Sequence, residues 1–207
     1  MHTLHYSPGS CSLIVHILLE ELGIAFELEK ADSKSALYRA NVNPKGKVPA
    51  LVTPQGVLTE CVAILEYLCD HHGAGKLLAQ PGTWERAKTM ERIATLATEV
   101  HPLFNRFFHE DDFSAAKEVQ AGVKARGTEK LLAWFREQDA DLTRQYWSGD
   151  TLDASDIYFM VMARWGRWLA PPANEMPNIR PFYERMIARP SVARAMQRES
   201  IKPFGTT

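Results

Sequence analysis

Residues 43–51 read NPKGKVPAL, a turn that leads directly into a short apolar strand. Asn, Pro and Gly are turn formers, and a proline is tolerated at the beginning of a strand where no sheet hydrogen bond needs its missing N–H. The apolar run ends at residues 55–56, where Gln-Gly marks a second turn before Val57 and Leu58. The pattern therefore predicts an antiparallel hairpin of two short strands.

The residues around this hairpin predict the rest of a small α/β domain. Residues 2–6 read as a strand, residues 12–22 carry apolar side chains at helical spacing, and residues 25–29 alternate apolar with polar side chains. Downstream of the hairpin, residues 61–71 have an apolar helical face. Residues 1–76 thus predict the order β-α-β, an irregular or helical segment, then β-β-α. This order combines parallel strands joined by a crossover with the antiparallel hairpin.

The strand signals stop at a linker over residues 77–83, and helical periodicity dominates the sequence that follows. We therefore expect an all-helical second domain at residues 84–207. Its helices are predicted at about 84–109, 114–139, 154–169, 178–188 and 191–198. Residues 153–156 read DASD, which predicts a capping box with carboxylates in place of the usual hydroxyl and Glu.

The composition is typical of a globular protein without a polyanionic partner. Of 207 residues, 45% are hydrophobic, and 24 basic side chains face 25 acidic ones for a formal net charge of -1. This balance gives no long-range attraction to nucleic acid or to an anionic membrane. The first residues lack a secretory signal and no apolar run is long enough to span a bilayer, so a cytoplasmic protein is expected.

The three cysteines are Cys11, Cys61 and Cys69, an odd number without C-x-x-C spacing. This pattern argues against a disulfide framework and against a structural zinc site, so thiols are expected. The adjacent His71 and His72 point to different faces of a helix. We therefore predict no metal site.

Cys11 is the first candidate for a chemical role. It follows a Pro-Gly turn and precedes a helix, where N–H groups and the helix dipole favour a thiolate. The alternative is a small apolar residue buried at a strand–helix junction. Ser10 and Ser12 can hydrogen-bond a thiolate or simply cap the helix.

His101, in a predicted helix beside polar residues, is a second candidate, although a helical histidine is more often a surface or core residue.

Two further candidates involve the backbone. The Val48-Pro49 bond is a candidate cis peptide, although trans is the commoner form. In the cis form, the N–H and C=O of Val48 would be available to pair with another extended chain. Glu60 and Cys61 stand at the start of a helix, whose N–H groups suit a carboxylate, and Glu60 could hold an ammonium group. The alternative is that Glu60 only caps the helix.

Taken in order, these stretches resemble a bacterial beta-class glutathione S-transferase. The resemblance rests on YSPGSCS at 6–12, NPKGKVPAL at 43–51, LTECVAILEYL at 58–68, TEVH at 98–101 and LDASDIY at 152–158. These runs span nearly the whole chain, and N-P-K-G-x-V-P-A-L with T-E-x-x-A-I is specific to this superfamily. The resemblance implies the glutathione S-transferase fold, in which a thioredoxin-like βαβ-ββα domain precedes a helical bundle.

The resemblance also implies a glutathione-binding site. Val48, before a cis Pro49, would hold the cysteinyl backbone of glutathione, while Glu60 and the N–H of Cys61 would hold its γ-glutamyl end. Lys34 is a looser match for a lysine that relatives use near glutathione, because residues 32–42 are shorter than the corresponding segment in many relatives.

For catalysis, the resemblance implies that Cys11 lies near the glutathione sulfur and that His101 lines the active-site cleft from the helical domain. Similar enzymes are homodimers in which the first helices of the C-terminal half meet. Three residues depart from the family pattern. Cys61 stands where relatives more often have Ser or Gly, Pro102 where many have Lys, and Ala94 where they often have Asn.

We expect an enzyme that activates glutathione and adds its sulfur to a small electrophile, without a metal. A rival activity is glutathione-dependent disulfide exchange or peroxidase chemistry, which a cysteine at position 11 favours. A two-cysteine mechanism is disfavoured, because residues 11–14 read CSLI and lack the resolving cysteine of a C-x-x-C site. A third alternative is a non-catalytic binding or scaffold protein on the same fold.

Overall fold

The computed structural model describes residues 1–204, which pack as two compact units. The first unit comprises Met1–Ala87 together with Ile187–Pro203, and the second comprises Lys88–Met186 together with Phe204. The domain division at the 77–83 linker stays a prediction. Residues 205–207, which the predicted helical domain includes, lie outside the described residues.

A four-stranded mixed sheet lies in the first unit. Its strands are β1 (His2–Tyr6), β2 (Phe26–Lys30), β3 (Ala50–Thr53) and β4 (Gly56–Thr59), in the spatial order β2-β1-β3-β4. Strand β1 pairs in parallel with β2 and antiparallel with β3, and β3 forms an antiparallel hairpin with β4. The predicted thioredoxin-like combination of a parallel crossover and a hairpin is confirmed.

Helices account for most of the remaining described residues. They are α1 (Ser12–Glu21), α2 (Ala36–Asn41), α3 (Cys61–His72), α4 (Trp84–Thr95), α5 (His101–Phe108), α6 (Lys117–Asp141), α7 (Ala154–Trp165), α8 (Ile179–Ile187) and α9 (Pro190–Arg198). A π-helical turn covers Leu96–Val100, and short 3-10 helices cover Glu110–Phe113, Gly166–Trp168 and Ala173–Glu175. Within residues 1–204, none of the helices combines the length and apolar character needed to cross a membrane.

Helix α1 is enclosed by other elements. Residues 12–19 are all buried, because α1 packs against β1, α3 and α9. This stretch includes His16, whose side chain has 0% exposure and therefore needs a buried partner. Its Nδ1 lies 2.8 Å from Oε1 of Glu199, which directly follows α9 and is equally buried. The pair thus joins the beginning of the chain to its last helix.

The end of α1 makes further polar contacts with α9. Glu20 accepts hydrogen bonds from Arg194 and Arg198 at 2.7 Å each. Glu21 accepts from the guanidinium and hydroxyl side chains at the start of α9. These more exposed contacts add little stability individually, but as a set they fix the direction of α9 along α1.

The predicted helix at 84–109 is divided by the π-helical turn. The N–H of His101 bonds the carbonyl of Leu96, five residues back, instead of the residue four back as in an α-helix. Pro102 gives the physical reason, because it has no N–H to donate to the Thr98 carbonyl and its ring would clash with that carbonyl. The wider turn absorbs this conflict immediately before His101.

Helix α7 lies in the core of the second unit. Its residues 154–164 are all buried. The ring of Phe159 contacts Trp134, Phe135 and Phe182, with ring centroids 5.3–6.4 Å apart. A helix buried on all sides cannot satisfy its terminal N–H groups with water, so it needs acceptors from the protein.

The predicted capping box at the start of α7 supplies those acceptors and is confirmed. Asp153 accepts from the N–H of Ser155 at 2.8 Å, and Asp156 accepts from the N–H of Asp153 at 2.8 Å. Asp156 also accepts from the N–H and the hydroxyl of Ser148 at 2.9 and 2.6 Å. Burial, together with the neighbouring Asp153 carboxylate, raises the pKa of Asp156 to about 6.

We predict that Asp156→Ala lowers the free energy of unfolding by about 2–4 kcal/mol, because three donors lose their acceptor inside the second unit. Asp150→Ala is the matched control. Asp150 forms an exposed ion pair with Arg144, and its loss should change stability by less than about 0.5 kcal/mol. Denaturant unfolding of both variants measures the difference, and equal effects would contradict a stabilising role for the capping box.

Candidate active site

Cys11 lies where the loop after β1 meets the start of α1. Its side chain is half-buried, and its thiol donates to the backbone oxygen of Val48 at 3.4 Å. Val48 belongs to the loop before β3, 37 residues further along the chain. The fold therefore brings together two of the candidates that the sequence singled out.

The two serines beside Cys11 form hydrogen bonds with each other and with the loop that carries Cys11. The hydroxyl oxygens of Ser10 and Ser12 are 2.8 Å apart, and Ser10 Oγ accepts from the N–H of Ser12 at 3.2 Å. Ser12 Oγ accepts from the N–H of Ser7 and donates to its carbonyl, each at 3.2 Å. Only the Ser10 hydroxyl accepts from an N–H at the start of α1, whereas the Ser12 hydroxyl bonds the backbone of Ser7 and holds the loop.

Cys61, the first residue of α3, contacts Cys11. Its thiol donates to the Cys11 carbonyl at 3.7 Å, although the two residues are 50 positions apart. A hydrogen bond with the Cys11 side chain, burial and the charges of Cys11 and Glu60 raise the pKa of Cys61 well above its usual range. The Cys61 thiol is therefore protonated at neutral pH, and it is directed at the Cys11 carbonyl.

The Val48–Pro49 peptide bond is cis, as the family resemblance implies. Two side chains fix the backbone just before it, since Tyr38 Oη and Asn43 Nδ2 each donate to the carbonyl of Lys47 at 2.8 Å. Both side chains are buried, and burial raises the pKa of Tyr38. Neither positioning residue is identifiable from the sequence, because Asn43 reads only as a turn former and Tyr38 lies in a segment without a clear pattern.

Glu60 precedes α3 in a strained backbone conformation. Its φ of 72° and ψ of 123° lie in a region that residues with a side chain rarely adopt, at a cost of about 1–3 kcal/mol. Its carboxylate is exposed and accepts from Lys45 Nζ at 2.8 Å. Lys45, like Asn43, reads in the sequence only as part of a turn. Strain of this kind concentrates at functional sites, where the fold holds a residue in place for a ligand.

These groups define a site with three kinds of chemistry. Glu60 and the start of α3 offer a carboxylate and backbone N–H groups, Val48 offers its backbone N–H and C=O, and Cys11 offers a thiol. A peptide-like molecule with an ammonium and a carboxylate at one end and a sulfur near its middle matches them in order.

Glu199 holds the loop that carries Cys11. Its Oε2 accepts from the N–H of Gly9 at 2.8 Å, while its Oε1 lies 2.8 Å from Nδ1 of His16. One buried carboxylate thus joins the loop, α1 and α9 within the first unit. No local sequence signal could have identified it, because its partners lie 183 and 190 residues away.

The two remaining candidates, His101 and Lys34, are placed separately. His101 belongs to the second unit, where its Nδ1 lies 3.1 Å from Tyr158 Oη and its ring meets Trp165 edge-on at 5.1 Å. Lys34 is an exposed residue between β2 and α2. Their roles in catalysis and binding stay predictions. Among residues 1–204, no three His, Cys, Asp or Glu side chains are arranged to hold a metal ion.

The chain is similar to glutathione transferases in sequence and in fold. The family model for the glutathione S-transferase N-terminal domain matches residues 9–71. Glutathione S-transferase GstA of Escherichia coli O157:H7 is 36% identical, with 96% of this chain and 99% of that protein covered. A beta-class glutathione S-transferase from Sphingomonas chungbukensis has a TM-score of 0.84 at 31% identity, over 97% of this chain and 100% of that one. A sphingomonad glutathione S-transferase in complex with glutathione matches with the same TM-score, identity and coverage.

We predict that Glu199→Ala lowers the free energy of unfolding by about 3 kcal/mol or more, because it leaves the fully buried His16 side chain without its carboxylate partner and removes an acceptor of the Gly9 N–H. Hydrogen exchange in the loop at residues 7–11 should also accelerate. Glu184→Ala, which removes an exposed ion pair with Arg180, is the control and should be nearly neutral. If both variants unfold at the same denaturant concentration, Glu199 does not anchor the loop.

Proposed function

This chain belongs to the glutathione S-transferase family, and we propose that it transfers the thiol of glutathione to small electrophilic substrates. The observation that carries the proposal is the convergence of Cys11, the Val48 backbone and the start of α3 within one unit. A relative of the same fold is solved with glutathione bound, which supports glutathione as the co-substrate.

Glutathione fits the groups of this site in one orientation, with its γ-glutamyl end at α3 and its cysteinyl part at Val48. Its γ-glutamyl end carries an ammonium, which suits the Glu60 carboxylate, and a carboxylate, which suits the N–H groups from Cys61 onward. Its cysteinyl part is an extended backbone that can pair with the N–H and C=O of Val48. Lys45 bonds Glu60 at 2.8 Å, and on this proposal the ligand ammonium takes over one oxygen of that carboxylate.

This placement directs the glutathione sulfur toward Cys11. The nucleophile of the reaction is the glutathione thiolate, which attacks an electrophilic carbon and displaces a leaving group or adds across an activated bond. This position lies at the N-terminus of α1, where the positive end of the helix dipole favours a negative charge. A thiolate placed there is stabilised, which increases the fraction of nucleophile.

Further expectations belong to the same proposal. His101 is proposed as a catalytic residue and Lys34 as a glutathione contact, both on the family resemblance. A homodimer and a cytoplasmic location are proposed on the same basis.

Disulfide exchange and peroxidase chemistry remain compatible with a thiol at position 11. The scaffold alternative has no support from the relatives, which are named as transferases. Retention on immobilised glutathione together with turnover of a generic aryl halide tests the transferase proposal. Retention without turnover of any electrophile would favour the scaffold.

We predict that Glu60→Ala raises the dissociation constant for glutathione about tenfold or more, because it removes a charge-assisted contact with the ligand ammonium. Isothermal titration calorimetry measures the constant. Glu27→Ala, an exposed glutamate of β2, is the control and should leave it unchanged. An unaltered dissociation constant in Glu60→Ala would refute the assignment of the γ-glutamyl end.

We predict that Cys11→Ala impairs glutathione-dependent disulfide exchange more severely than aryl halide conjugation. The reason is that bound glutathione brings its own thiol to conjugation, whereas exchange through the protein needs the Cys11 sulfur. Steady-state rates for both reactions on the same preparation give the comparison. Cys69→Ala is the control because it leaves both sulfurs of the site in place. Equal losses in the two reactions would show that Cys11 has no separate role in exchange.

A further inference from the structure

Two thiols meet at the proposed active site. The Cys61 thiol donates to the Cys11 carbonyl at 3.7 Å, which places the two cysteines in direct contact although they are 50 positions apart. Both residues stand at helix beginnings, Cys11 before α1 and Cys61 as the first residue of α3, and these two helices pack together. The fold thus creates a dithiol that the spacing of cysteines in the sequence does not reveal.

We propose that Cys11 and Cys61 form a dithiol–disulfide redox pair, with Cys11 as the attacking thiol and Cys61 as the resolving thiol. The substrates of this second activity would be small disulfides, and glutathione would return the pair to its reduced state. The inference rests on the proposed function only in taking oxidised glutathione as one of those disulfides.

The exposure of the three cysteines determines which thiol reacts first with a disulfide. Cys11 is half-buried and open to a small disulfide, whereas Cys61 is only 8% exposed and contacts Cys11. Cys69 is also buried, but it lies about 12 Å further along α3 at 1.5 Å per residue, too far to pair with Cys61. Only Cys11 can therefore react first with a disulfide from solution and then be reached by Cys61.

The reaction balances in two steps. The Cys11 thiolate attacks one sulfur of oxidised glutathione, so a Cys11–glutathione bond forms, the original S–S bond breaks and one glutathione thiolate leaves. Cys61 gives its proton to solvent and attacks the Cys11 sulfur, which forms the Cys11–Cys61 bond and expels the second glutathione thiolate. The protein loses two electrons, and one oxidised glutathione becomes two reduced molecules.

The site also explains why the second step follows the first. In the reduced protein, the hydrogen bond with Cys11 and the Cys11 charge help to keep the Cys61 thiol protonated. Once Cys11 is in a neutral mixed disulfide, both of these effects are lost, although burial remains. Cys61 then ionises more readily at the moment when its target sulfur carries a leaving group.

The test treats the reduced full-length chain with oxidised glutathione, blocks the remaining thiols by alkylation and records intact mass and peptide maps. The wild type should end as a protein about 2 Da lighter before alkylation, with a Cys11–Cys61 disulfide and an alkylated Cys69. Cys61→Ser should instead accumulate one glutathionyl group on Cys11, whereas Cys69→Ser should behave as the wild type does. A stable mixed disulfide in the wild type, or a disulfide that includes Cys69, would overturn the proposal.

Cystamine, a small disulfide without any glutathione moiety, separates the two proposals. If cystamine closes the Cys11–Cys61 bond but oxidised glutathione does not, the redox pair is supported and the assignment of glutathione to this site is contradicted. If glutathione binds but neither disulfide yields the internal bond, the pair is refuted and the transferase proposal stands. Both proposals are decided by peptide maps of the wild-type protein, so poor folding of a variant would not obscure the result.

Discussion

The buried carboxylate of Glu199 is the constraint on which the geometry of the first unit depends. It accepts from the Gly9 N–H and lies 2.8 Å from His16, with both side chains fully buried. Groups so placed are costly unless all of them are satisfied together, so the loop, α1 and the last helix must form as one arrangement. That arrangement sets the position of Cys11 and hence its contact with Val48. The proposed site is therefore stabilised by a residue near the end of the chain.

Much of this fold could be predicted from local sequence pattern, and its elements show why. The strands at residues 2–6 and 25–29 and the helix at 61–71 are found within about two residues of the structure, because apolar periodicity reports which face is buried. The DASD run likewise predicts its capping box, since all of its hydrogen bonds are local. The π-helical turn escaped prediction, because periodicity cannot measure how a helix adapts to Pro102.

Site residues whose role depends on long-range contacts could not be predicted from local sequence pattern. The sequence identified Cys11, Val48 and Glu60 separately, partly through a family resemblance, but it could not identify Tyr38 or Asn43, whose role is to bond a single carbonyl. The C-x-x-C criterion also considers only cysteines that are neighbours in sequence. Here the packing of α1 on α3 supplies a neighbour 50 residues away, a relation that exists only in the folded chain.

The same packing explains how one position can acquire a second role without loss of the first. On the proposed function, the γ-glutamyl end is held by the N–H of residue 61 and by Glu60, so recognition depends on backbone geometry rather than on the side chain at position 61. The strained φ of Glu60 and the start of α3 fix that backbone. A serine or a glycine at this position would keep the same N–H. A cysteine therefore adds a thiol beside Cys11 while the groups that hold glutathione remain in place, and this separation of backbone binding from side-chain chemistry makes a redox role compatible with transferase activity.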